Sequence, residues 1–250
     1  MGGEIMEIEC AVLPKIASQL SLPVPDFQYF GERSDDYIWK YVGYPFIHGT
    51  TSENLIWTTE ERSNAASVLG KFLNGLHGIP VTDDLKTALP PDLIDRADRD
   101  AILRRIDKYL PQIQEAYPER MAWASELRDL AHSISKYVKA EAHLCVVHGD
   151  LYPRHVLANE QKQVAGIIDW GDVHFGHPFL DLSIAYTFLE PMERSAFWSA
   201  YGLPVAEEEK IMARLKAINY ALALYLYGRH SSDRNLLALC DQIAIRATST

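Results

Sequence analysis

An α+β fold follows from three observations on this 250-residue chain. Strand-like runs are confined to a short amino-terminal stretch and to the middle. Most of the remainder carries helical periodicity, and no internal repeat or low-complexity tract breaks the order. The length suits one large domain or two small lobes with a sizeable core.

Taken in order, residues 4–20 predict a helix, with Ile5, Ile8, Val12, Ile16 and Leu20 at near-helical spacing. Pro14 within it is expected to kink or split it, and "LPVP" ends it. Phe27–Phe30 and Tyr37–Tyr44 predict two strands around the polar turn "GERSDD". From Thr59 the period changes: Ala65, Ala66, Leu69, Phe72, Leu73 and Leu76 share one helical stripe that closes near His77 and Gly78. Residues 92–117 and 119–141 predict two further helices. Cys145–Val147 and Val164–Ile168 are strand-like and flank a polar insert. The stretch "PMERSAFWSAYG" and residues 207–228 and 234–247 continue as helices.

Composition narrows the function classes. Hydrophobic residues at 48% and charged residues at 23% describe a soluble globular protein. The apolar run "YALALYLYG" is far too short to span a bilayer, and "MGGEIMEIEC" lacks the basic start and apolar middle of a signal peptide. Cys10, Cys145 and Cys240 form no CxxC pair, which predicts a reducing, cytoplasmic compartment with neither a disulfide framework nor a zinc knuckle. A net charge of −10 argues against a nucleic-acid partner, whose phosphates need a basic footprint. It is compatible with a cationic small substrate, although acidic surfaces commonly serve solubility alone.

The chemistry is concentrated in "VVHGDLYPRHVLANEQKQVAGIIDWGD", residues 146–172. Phosphoryl transfer needs one carboxylate to accept the proton of the attacking hydroxyl, and a second carboxylate plus one more ligand to hold magnesium against the phosphates. The kinase pattern places the base in a His-x-Asp turn, a metal ligand five residues later, and the second carboxylate in a following Asp-x-Gly. Here stand His148-Gly149-Asp150, then His155, then Asp169-Trp170-Gly171, with strand-like flanks.

These residues resemble the aminoglycoside and macrolide phosphotransferase family, kinase-like enzymes that phosphorylate antibiotic hydroxyls. "HGDLYPRHVL" is similar to its catalytic loop and "GIIDWGDVHFGHPFLDLS" to its metal loop and following helix. His155, where most members carry Asn, resembles the macrolide branch; magnesium prefers oxygen, so the imidazole retunes that site. "VGYPFIHG" looks like the hinge that receives adenine, "LGKFLNGLH" like the next helix, and "EIECAVLPKIASQLSLPVP" like the helix bearing an ion-pairing glutamate.

The resemblance implies a protein-kinase-like fold: a truncated small lobe with a few strands, then a mainly helical large lobe. Residues 1–49 would form the partial amino lobe and hinge, and residues 50–250 the carboxy lobe with the catalytic and metal loops. It implies a nucleotide-dependent O-phosphotransferase with an alcohol acceptor, ATP or GTP and Mg2+ as cofactors, and a small-molecule partner over the helical lobe beyond residue 172. The expected acceptor is an aminoglycoside, a macrolide or an unrelated metabolite, and antibiotic resistance is the expected role for the first two. By carry-over Asp150 is the general base, His155 and Asp169 are metal ligands, and Asp181 braces the catalytic loop. Pro45 and Ile47 present a backbone carbonyl and amide to adenine, and Glu9 is the partner of a phosphate-binding lysine.

That lysine has no counterpart. Lys15, the first lysine, already follows Glu9, and no GxGxxG or GxxxxGK run occurs. Lys40 lies in the strand before the hinge, the wrong strand for a substitute. Either the chain is truncated relative to a longer native enzyme, or it is whole and grips phosphates weakly or not at all. Two rival functions follow: a non-catalytic pseudokinase-like binding module, favoured by the missing phosphate loop and lysine, and a metal-dependent hydrolase built on the His and Asp cluster. His174, His177 and Asp172 lack a fourth ligand for structural zinc. His77 is read as a helix-terminal residue facing the dipole, and Tyr225 and Tyr227 as core or substrate wall. The oligomeric state is not legible.

Overall fold

The structure, a computed structural model, describes residues 2–92, 94–136 and 144–249. Helix α1 (Gly2–Ile16) carries Pro14 in its last turn and passes into a 3-10 turn, Ala17–Gln19, so the helix is shortened without being split. Proline near a carboxyl-terminal turn removes one ladder bond from an end that frays in any case. Val12, Leu13 and Ile16 are buried. Strands β1 (Tyr29–Gly31) and β2 (Tyr41–Gly43) form an antiparallel pair with Phe30 opposite Val42. Both are shorter than the periodicity predicts, because Ser34 and Tyr37 bond to each other in the connecting turn.

β3 (Thr50–Thr51) leads to α2 (Thr59–His77), whose start is set by a capping box: Thr58 Oγ1 accepts from Glu61 N–H while Glu61 Oε2 accepts from Thr58 N–H. The predicted stripe from Ala65 to Leu76 is its buried face. α3 (Asp83–Ala88) follows, then α4 (Arg99–Ala116), which begins seven residues later than the predicted 92 because Asp98 caps it through Ala101 N–H. α5 is Met121–Ile134, and the tail of the predicted helix 119–141 reaches residues outside the described set.

β4 (Cys145–Val147) and β6 (Val164–Ile167) lie where the sequence puts them but do not pair with each other. Between them runs β5 (Val156–Ala158), hairpinned to β6 and flanked by β3 on its other edge. β4 pairs instead with β7 (His174–Gly176). Strands of two or three residues have too few positions for a period-two signal, which is why β3, β5 and β7 escape the sequence pattern.

Two single-turn helices, α6 (Phe179–Leu182) and α7 (Ile184–Thr187), precede α8 (Arg194–Tyr201), α9 (Glu207–Ser231) and α10 (Arg234–Thr248). Ser232 at φ 57° and the capping Asp233 separate the last two. The core is carried by this helical body, with Phe72, Trp170, Phe179 and Phe197 among its largest buried side chains. Both polar loops, 148–155 and 168–173, emerge from its centre. Among the described residues no helix is long and apolar enough to cross a membrane, and the three cysteines are free.

Candidate active site

The loop after β4 needs Gly149. Its φ is 85°, and a Cβ there would run into the Asp172 carbonyl oxygen, so the turn that delivers Asp150 closes only around a glycine. His148 and Gly149 donate their backbone N–H groups to the two oxygens of Asp181, at 2.8 and 2.9 Å. His148 is fully buried. Its Nδ1 accepts from Asp150 N–H at 3.3 Å and its Nε2 lies 3.0 Å from the Ile168 carbonyl, an arrangement that assigns the proton to Nε2. Burial depresses the basicity of this ring, in keeping with a neutral imidazole. One histidine thereby ties the Asp150 turn to the residue preceding Asp169.

Asp181 is 0% exposed. Burial by itself would raise its pKa, but hydrogen bonds and charge from His77, with the backbone donors, hold it below the usual value of 3.8. His77 Nε2 lies 3.1 Å from Asp181 Oδ2, and its Nδ1 lies 2.9 Å from the Tyr201 hydroxyl. The helix-end reading of His77 is thus replaced by a buried hydrogen-bonded chain, Tyr201–His77–Asp181, beneath the Asp150 turn.

His155 sits on a 3-10 turn (Pro153–His155), with Nδ1 2.8 Å from the Asp150 carbonyl and Nε2 3.2 Å from Asp169 Oδ2. Burial pulls its pKa down, but the hydrogen bond to Asp169 and the charges of Asp150 and Asp169 outweigh this and leave it raised. Asp169 is correspondingly lowered by the hydrogen bond from His155. Asp169 also adopts φ 65°, a left-handed conformation that Asp tolerates better than most residues. Arg154 anchors the loop from outside, through Glu53 at 3.0 Å and Asp233 at 2.5 Å.

Asp150, His155 and Asp169 therefore converge, with Asp181 directly behind. Glu9 reaches the same segment: its Oε1 accepts from Trp170 N–H at 3.1 Å. Burial and the charge of Asp169 raise its pKa. Neither early lysine meets it. Lys15 pairs with Asp84, and Lys40 lies 3.9 Å from Glu32. Pro45 and Ile47 sit between β2 and β3 and line a cavity of about 840 Å³ with Pro14, Leu22, His48 and Ala165; Asp150, His155 and Asp169 are not among its lining residues. Gly166 lets this segment lie on β6, since a Cβ there would stand 2.6 Å from Ile47 Cγ2.

His155 Nε2 and Asp169 Oδ2 are the donors available to a divalent ion. Among the described residues no cluster of three or more His, Cys, Asp or Glu side chains forms a metal cage. Two protein donors completed by phosphate oxygens and water suit magnesium's habits, with the imidazole the weaker member. Of the residues considered for zinc, His174 turns its Nδ1 to the Asp172 carbonyl at 2.7 Å, and Asp172 itself pairs with Arg96. Tyr225 is buried against Trp123 and Tyr117, while Tyr227 is exposed. Sequence reasoning read His77 only as a helix end and missed Tyr201 and Tyr220, the latter donating its hydroxyl hydrogen to Asp150 Oδ1 at 2.6 Å. All three lie on helices as members of apolar stripes, where no local pattern marks a polar partner.

The fold matches solved antibiotic phosphotransferases. The GDP and kanamycin complex of APH(2")-IIia is similar over 99% of this chain and 83% of that one, at 20% identity and a TM-score of 0.69. Spectinomycin phosphotransferase APH(9)-Ia with ADP and spectinomycin is similar over 99% and 82%, at 17% identity and a TM-score of 0.67. The macrolide 2'-phosphotransferase MphH from Brachybacterium faecium is similar over 99% and 81%, at 18% identity and a TM-score of 0.60. Among curated proteins no significant sequence match is found. At these identities the structures establish a kinase-like α+β fold with a helical large lobe. The model of the phosphotransferase enzyme family matches residues 6–216, most of the chain, and the chain belongs to that family.

Proposed function

We propose that this phosphotransferase moves the γ-phosphoryl group of ATP or GTP to a hydroxyl of a small molecule, with an aminoglycoside or macrolide antibiotic as the acceptor class. The observation that carries the reading is the convergence of Asp150, His155 and Asp169 on one point between the two polar loops. Asp150 orients the acceptor hydroxyl and takes its proton as the oxygen–phosphorus bond forms, and the bond to the β-phosphate breaks to release nucleoside diphosphate. His155 and Asp169 would hold Mg2+, which when bound neutralises charge on the phosphate oxygens. Asp181 keeps the Asp150 turn in place through the two backbone N–H groups it accepts. Pro45 and Ile47 would offer backbone groups to the base, in an amino-terminal lobe of residues 1–49 set on a carboxy lobe of residues 50–250. Related structures carry GDP or ADP, which supports a nucleotide donor without choosing between the bases.

A second reading is favoured by one observation. Glu9 bonds to the Trp170 amide and meets neither Lys15 nor Lys40, so the lysine clamp on the phosphates is absent from the described contacts. Loss of such a clamp costs about 3 kcal/mol of transition-state stabilisation, which would leave a weakly active or purely nucleotide-binding protein. Calorimetry with Mg-ATP and Mg-GTP, with Asp169→Asn as control, is the first test. Micromolar affinity that needs magnesium and is lost in the variant supports the site. Transfer of γ-phosphate to kanamycin or a macrolide then separates enzyme from binding module, and affinity indifferent to magnesium and to Asp169 overturns both readings.

A further inference from the structure

The candidate base is held by more than its own loop. Helix α9 runs behind Asp150, and Tyr220 from that helix donates its hydroxyl hydrogen to Asp150 Oδ1 at 2.6 Å. Tyr220 is only 5% exposed, and burial together with the Asp150 charge raises its pKa well above 10, so the hydroxyl stays a donor at any working pH. Its ring lies 5.3 Å from that of Tyr152, which in turn meets the His155 ring edge-on at 4.5 Å. Lys216, one turn earlier on α9, is also buried and holds its Nζ 4.4 Å from the Tyr220 ring centroid. Among the described residues Lys216 makes no ion pair within 4 Å. Burial lowers its pKa, with the charges of Asp150 and Asp172 opposing that shift.

A carboxylate with both oxygens free can rotate, and a base that rotates presents the acceptor with a mixture of geometries. A buried phenol bound to one oxygen removes that freedom. The second oxygen, Asp150 Oδ2, lies 3.8 Å from His155 Nδ1, beyond hydrogen-bond distance, on a side chain that is 30% exposed. We propose that Tyr220 is the positioning residue of the base: it ties Asp150 Oδ1 to α9 and leaves Oδ2 for the acceptor hydroxyl. The role rests on the reading of Asp150 as the base. It places one helix in control of both polar loop residues, Asp150 through the hydroxyl and His155 through the Tyr152 ring.

The test uses the full chain as wild type, Tyr220→Phe, Asp150→Asn and the double variant. Removal of one oxygen leaves the ring packing intact, so the melting temperature is expected to shift by no more than a few degrees and the calorimetric affinity for magnesium–nucleotide to stay within about twofold of wild type. Release of nucleoside diphosphate is followed with kanamycin and with water alone as acceptor. Tyr220→Phe is expected to lower kcat about tenfold with the nucleotide KM unchanged, and to add nothing in the Asp150→Asn background.

Wild-type turnover in Tyr220→Phe overturns the proposal, and so does a loss that adds to that of Asp150→Asn. Equal turnover in wild type and Asp150→Asn instead overturns the assignment of the base. A readout independent of turnover accompanies these: crystal structures of wild type and Tyr220→Phe. The proposal expects Asp150 in one rotamer in the first and redistributed in the second, and an unchanged single rotamer in both overturns it.

Discussion

The two halves of the molecule solve opposite problems. Around Asp150 the polar groups are buried and partnered: His148 and Asp181 are both 0% exposed, and each backbone donor of the turn has a named acceptor. On the β1–β2 hairpin the reverse holds. Tyr29 is 70% exposed and Phe30 64%, and Phe46 beyond the hairpin reaches 74%. The loops owe their shape to residues far away in sequence, since Asp181 is 33 positions from His148 and His77 is 104 from Asp181. The hairpin owes its shape to its own three paired positions. The chemistry is therefore rigid where charge must be aimed, and the aromatic hairpin contributes surface more than stability.

The largest expected effect breaks the buried half. Asp181→Ala strands two backbone N–H groups and the His77 ring, and should cost about 3 kcal/mol, read as a fall in denaturation midpoint. The same carboxylate has a pH signature. Its pKa is lower in the folded chain than the ordinary 3.8, so its stabilisation is present above that value and is lost as pH falls through the lower folded one. The fall in melting temperature between about pH 4 and pH 2 should be shallower in Asp181→Asn than in wild type.

Gly149→Ala comes next. The left-handed φ and the Asp172 carbonyl leave no room for a methyl group, and a stability loss of about 2 kcal/mol should accompany a misplaced Asp150. Turnover should fall about 100-fold, more than the stability change alone explains.

A smaller effect sharpens the comparison at the proposed metal site. His155 is raised above 6.5 by Asp169 and Asp150, so in the metal-free chain its stabilising pair is complete below 6.5 and is lost as pH rises through the folded value. Metal binding at His155, as proposed, would run the other way, because only the neutral ring can ligate an ion. Calorimetric Mg-nucleotide affinity should weaken by up to about tenfold per pH unit below the raised value, and His155→Asn should flatten that slope.

The smallest effect belongs to the exposed half. Tyr29→Ser with Phe30→Ser should shift stability, read from the denaturation midpoint, by less than about 0.5 kcal/mol, since these rings are mostly exposed. A loss of several kcal/mol would mean the hairpin supports the core after all.

The local sequence determined a good deal. Spacing within "HGDLYPRH" and "DWG" pointed to Asp150, His155 and Asp169, and apolar periodicity located α2, α9 and α10 to within a few residues. Such features are legible because the turn or helix that creates them lies within the few residues that encode it. Tertiary structure alone decided the rest: that β4 pairs with β7, that Glu9 meets the Trp170 amide, that His77 serves Asp181, and that Tyr220 holds Asp150. Each of these joins residues separated by 27 to 161 positions, and a hydroxyl or imidazole on a buried helix face reads as one more member of the stripe until packing brings its partner across.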